Sequence, residues 1–192
     1  MVGIPCSMVY GVAMASHAGW TGDRLFAVAI GAVKVPILFF ATMLIAVPCF
    51  AVTHRILGVG DDFPRVWRGL IDYQLSVALQ LCALAPITVV VQLTVGGYRV
   101  VQLWSVAVFA LVSIQAQGSL RVVYRELPPL PAHRALRRGW IVLYAFVGIQ
   151  LGWTLRPFFG HPDLPPQLFR AAGGGNAYVE ILRVLGQALT GG

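Results

Sequence analysis

Tyr73–Tyr98 reads YQLSVALQLCALAPITVVVQLTVGGY, twenty-six residues without Asp, Glu, Lys, Arg or His. As a helix rising about 1.5 Å per residue it would exceed the ~30 Å hydrocarbon core of a bilayer. Its apolar residues do not alternate with polar ones, which argues against a barrel strand. In lipid every backbone amide needs an internal partner, so a spanning segment of this kind must be helical.

Working outward, three more charge-free runs appear: Val35–Thr53 (19 residues), Val100–Leu120 (21) and Gly139–Leu155 (17). The last is short, but Arg138 and Arg156 can snorkel at its ends, and Trp140, Tyr144 and Trp153 are expected to anchor it at the headgroup level. Leu25–Val33 is also apolar, so the first helix is expected to begin near Arg24, with Lys34 snorkelling or covered by neighbours. The expected fold is all-α: a polytopic transmembrane bundle in one integral membrane domain, 1–192. Its four spans lie near 31–53, 71–95, 100–120 and 138–155.

Between the spans, His54–Leu70 holds Gly58, Gly60, Asp61, Asp62 and Pro64, a polar turn and a helix restart. Gly96-Gly97 reads as a tight turn, and Glu126–Arg138, with Pro128, Pro129 and Pro131, as a stiff linker. Short interfacial or re-entrant helices are expected at both flanks. Met8–Trp20 is apolar but short. In 176–189, Asn176 is a candidate N-cap and Glu180, Arg183 and Gln187 form one polar stripe.

Composition agrees with this reading. Hydrophobic residues make up 58% of the 192 and charged residues 11%, against about 25% in a soluble domain. So few charges cannot cover a globule of this size, and disorder requires the opposite composition. The net charge is +7, thirteen of the fourteen cations being Arg. Arginines at membrane borders meet lipid phosphate. No nucleic-acid partner is expected, because no long soluble basic face exists. The first charge is Asp23, so no basic leader precedes an apolar segment.

The chemistry of sites is sparse. Cys6, Cys49 and Cys82 form no metal or disulfide pattern, and His17, His54, His133 and His161 lie in flanks or loops. No phosphate loop or nucleophile elbow is present. No cofactor, metal or catalytic residue is expected. Pro36, Pro48 and Pro86 interrupt helical hydrogen bonding. Gln80, Gln92, Gln102, Gln115, Gln117 and Gln150 read as interhelical glue, with Gln115 and Gln150 a possible pair. Arg68 and Asp72 are expected to form a border ion pair. Ala145, Gly148 and Gly152 make a small helix-packing face, within the chain or toward another. Trp153, Arg156, Pro157, Phe158, Phe159 and Gly160 form a rigid membrane exit, either docked on the bundle or offered to lipid or a partner.

The block QLGWTLRPFFG (Gln150–Gly160) resembles an uncharacterised family of bacterial polytopic membrane proteins. So do YGVAMAS (Tyr10–Ser16), Lys34-Val35-Pro36 and GNAY (Gly175–Tyr178). The resemblance covers most of the chain and implies an inner-membrane protein without naming an activity. More loosely, His54–Leu70 is similar to the polar loop between the first spans of the Yip family, usually five-span bundles acting through partner and membrane contacts.

The function expected is that of a non-enzymatic subunit or scaffold of a larger membrane complex, in contact with lipid and with other subunits or its own copies. The alternative is a small-solute or ion carrier or channel, suggested by the prolines and buried glutamines. The loops after the first and third spans carry eight cations, and the opposite side six. The positive-inside rule places the former in the cytoplasm and both termini opposite.

Overall fold

The computed structural model describes residues 2–16, 24–95 and 98–155, and every regular element among them is a helix. They are α1 (Gly3–Ala15), α2 (Arg24–Ile56), a single 3-10 turn (Gly60–Asp62), α3 (Phe63–Val95), α4 (Tyr98–Glu126) and α5 (Pro131–Thr154). The expected exit Arg156–Gly160, the helix over 176–189 and the Gly96-Gly97 turn lie outside the described residues.

Three helices are long and apolar enough to cross a membrane: Val28–Ile56, Gly60–Val95 and Leu103–Glu126. The protein is therefore a helical membrane protein. α5 falls below that standard because Arg134, Arg137 and Arg138 occupy its first two turns. Pro36, Pro48 and Pro86 remain inside continuous helices. Pro131 opens α5, where its missing N–H and fixed φ cost nothing.

The α2–α3 turn follows from one glycine. Gly58 has φ +72°, a left-handed conformation that costs other residues about 1–2 kcal/mol. Its N–H donates to the Arg55 carbonyl (3.1 Å), and the Val59 N–H donates to the His54 carbonyl (3.0 Å). This is the Schellman termination of a helix.

From that turn α2 and α3 diverge. They touch little directly; α1 lies between them, α4 packs on α3, and α5 packs on α2. α1 is apolar on all sides and buries Tyr10, Gly11, Ala13, Met14 and Ala15. At 13 residues it is about 20 Å long, too short to cross. Its start faces Leu75 and Ala78. Its end is held by Gln92, whose Nε2 donates to the Met14 carbonyl (3.4 Å) and whose Oε1 accepts from the Ser16 hydroxyl (3.2 Å). α1 thus fills only the half of the gap remote from the turn.

The other helices close around aromatic contacts. Tyr10 and Phe39 both meet Phe109, with centroids 5.5 and 6.0 Å apart. Trp140 packs on Phe50 (5.0 Å) and Tyr73 (6.4 Å), and Tyr144 on Tyr73 (5.3 Å). This corrects the expectation that Trp140 and Tyr144 are headgroup anchors. Trp140 is 0% exposed, because α5 must turn its largest side chains inward to fill the space where α2 and α3 part. Lys34 is likewise covered by neighbours, being 1% exposed.

Candidate functional site

Two features stand out: a polar clasp where α2, α3, α4 and α5 meet, and the outward face of α5.

The clasp is built from the two loops at one end of the bundle. The His133 Nδ1 lies 2.7 Å from the Pro128 carbonyl, and its Nε2 lies 3.1 Å from the Asp62 Oδ2. A carbonyl can only accept, so Nδ1 carries a proton and donates. A neutral ring would then offer Nε2 as an acceptor to a carboxylate that is also an acceptor. Nε2 can bond the carboxylate only by donating from a doubly protonated ring, and in that form the contact is a histidine–carboxylate ion pair joining the two loops.

A second histidine sits beside it. The His54 Nδ1 donates to the Phe50 carbonyl (2.9 Å), and its Nε2 lies 3.3 Å from the Tyr124 hydroxyl, which donates to a neutral ring and accepts from a protonated one. The Tyr124 ring also meets His133, at 6.0 Å. Pro131 and the linker prolines set the start of α5 so that His133 falls in its first turn. The Gly58 termination brings Asp62 round to face it.

The clasp was not anticipated, because each of its residues is unremarkable in its own segment. The available signal was indirect: an even number of crossings between the two loops places them at the same end. The expected Arg68–Asp72 pair does not form; both side chains are exposed, where an ion pair gains little. Gln115 lies on the exposed face of α4. Two glutamines join helices: Gln92 bonds to α1, and the Gln74 Oε1 accepts from the Tyr144 hydroxyl (2.7 Å).

On α5, Ile141, Ala145, Ile149 and Gly152 fall within one helical face, and the first three are exposed. A Cβ added at Gly152 would meet nothing within 4 Å, whereas one at Gly148 would touch the Thr42 side chain at 3.8 Å. Gly148 thus looks toward α2 and Gly152 outward. Trp153 is half-buried one position further on. The close small-residue crossing inside the bundle is elsewhere, at Gly11, Ala15 and Gly31 between α1 and α2.

Among the described residues no group of three or more His, Cys, Asp or Glu is placed to hold a metal. No family model, curated protein or solved structure matches the chain.

Proposed function

We propose that this protein is a non-enzymatic subunit or scaffold of a larger membrane complex in a bacterial inner membrane. In this reading α5 is a fourth crossing helix and α1 a re-entrant one. The observation that carries the proposal is the outward face of α5. Ala145 and Gly152 leave a shallow notch between exposed isoleucines, with open space over Gly152. In lipid, helix association relies on close packing rather than on the hydrophobic effect, so a notch of small residues favours a neighbouring helix. The internal polar contacts of Gln74, Gln92, Ser76 and Trp104 join helices of the bundle to one another, which supports a structural role.

Gly152→Leu should separate the two properties. The variant is expected to unfold at the wild-type temperature, because the new side chain enters open space, yet to lose its partner chains on mild-detergent purification. Gly148→Leu, pressing on Thr42, should lower the unfolding temperature. Stoichiometric partners retained in Gly152→Leu would show that this face looks at lipid. A wild-type protein that is a lone monomer in several mild detergents would remove the proposal.

The orientation proposed puts Leu57–Asp62 and Leu127–Leu130 in the cytoplasm, by the arginine excess on that side. The clasp supports placing these two loops at one end. Alkaline phosphatase fused after Gly192 should be active and green fluorescent protein fused there dark. The reverse pattern would invert the topology or add a crossing, and labelling of a cysteine placed at Ala132 distinguishes the two.

The second reading, a small carrier, draws on Lys34, an ionisable side chain buried in α2, and on Gln117, whose Oε1 is buried in α4 without a hydrogen-bond partner. Ion or solute flux from reconstituted vesicles above that of empty ones would favour it.

A further inference from the structure

The half of the α2–α3 gap that α1 leaves unfilled is an open groove of about 510 Å³. Its floor is the start of α1 (Gly3, Ile4, Ser7), and its walls run along Phe40–Pro48 of α2 and Trp67–Ala78 of α3. The lining is almost wholly apolar. Its polar oxygens have internal partners: the Ser7 hydroxyl donates to the Ile4 carbonyl (2.8 Å), and the Gln74 Oε1 accepts from Tyr144 (2.7 Å). Such a groove suits an apolar occupant better than water.

Its dimensions select the occupant. Trp67 to Ala78 is eleven steps along α3, roughly 16 Å, which matches the depth of one leaflet, about half of a ~30 Å core. The groove begins at one membrane border and ends against α1 at mid-depth. An acyl chain hung from a headgroup has that reach, whereas a crossing helix from this chain, a second copy or another protein would be blocked half-way.

The mouth of the groove is marked as a headgroup level. Trp67, 38% exposed, is the amphipathic ring expected at a membrane interface. Arg68 follows it. Arg55 lies seven residues beyond Pro48 and so on the same side of α2. Both arginines are exposed, and neither has an ion-pair partner among the described residues. Guanidinium groups bind phosphate through charge-assisted hydrogen bonds.

We propose that the groove holds one acyl chain of an anionic phospholipid, with the phosphate between Arg55 and Arg68 and the chain descending past Trp67 to the start of α1.

The test uses the full chain in phosphatidylcholine vesicles containing small fractions of brominated phosphatidylglycerol or brominated phosphatidylcholine. Bromine in an acyl chain quenches a tryptophan it touches. The signal of Trp67 is the difference between wild type and Trp67→Phe. Half-quenching of that signal is expected at a roughly tenfold lower mole fraction of the phosphatidylglycerol, equivalent to one charge-assisted contact. The double variant Arg55→Gln/Arg68→Gln should bring the two lipids onto one curve. Gly3→Phe, which extends a ring into the groove, should weaken quenching by both. Equal curves for the two lipids in wild type would mean ordinary surrounding lipid and overturn the proposal. A preference that survives the arginine substitutions, or a Trp67 signal that no lipid quenches, would overturn it too. If Gly3→Phe does not fold, the lipid comparison and the exposed arginines still decide.

Discussion

Gly11→Leu is expected to unseat α1 and destabilise the bundle by about 3 kcal/mol, the upper part of the range for overpacking. A Cβ at Gly11 would stand 2.5 Å from the Gly31 carbonyl oxygen and 3.0 Å from the Ala32 Cα. Both are backbone atoms inside a helix, so neither can swing aside as a side chain would. α2 would have to move as a body, and with it the contacts of Tyr10 with Phe109. Gly31→Ala meets chiefly a different obstacle, the Ala15 Cβ, with the Gly11 carbonyl oxygen further off at 3.2 Å. Removing that methyl in Gly31→Ala/Ala15→Gly should recover most of the loss, whereas Ala15→Gly should not rescue Gly11→Leu. Thermal unfolding in detergent measures the energies. Thiol labelling measures the seat of α1, since Cys6 of α1 stands beside Cys82 of α3 and both should label faster once α1 leaves. Wild-type stability and labelling in Gly11→Leu would show that the crossing is not close.

The clasp gives the second large effect. His133→Leu should cost about 2 kcal/mol, because it leaves the Pro128 carbonyl and the Asp62 carboxylate without their donors. The value stays below that of a fully buried pair because Asp62 is partly exposed. The groups around His133 are Asp62 of the 3-10 turn, Tyr124 of α4, and His54 of α2 through the Tyr124 hydroxyl; Arg137 of α5 acts on Tyr124. Thermal unfolding of His133→Leu beside wild type measures the loss, and an unchanged unfolding temperature would show that the clasp adds no stability.

How legible each feature was depended on how local its cause is. The long helices α2, α3 and α4 could be read from charge-free runs, and the start of the first near Arg24 from the apolar Leu25–Val33. The helices are longer than the spans expected near residues 31–53 and 71–95, because helices continue past the hydrocarbon. α2 begins at Arg24 and α3 at Phe63, and polar residues there are compatible with helix but invisible to a search for apolar length. The glycine faces were harder. Gly148 and Gly152 carry the recognisable four-residue spacing, yet the closest backbone approach is at Gly11 and Gly31, one glycine on each of two helices. No spacing within one segment announces a contact formed between two.

By itself the sequence determined that this chain is helical and belongs in a membrane. Charge too scarce to cover a globule and runs of apolar residues longer than a bilayer core admit no other solution for the backbone amides. It also determined the turn after α2, since the left-handed conformation there suits Gly58. Only the tertiary structure decided what those helices do to one another. It placed α1 in half of the gap between α2 and α3, Trp140 in the core, and His133 opposite Asp62. The reason is physical: helix formation depends on neighbours three and four residues away, whereas a groove, a clasp or a glycine crossing depends on which surfaces meet.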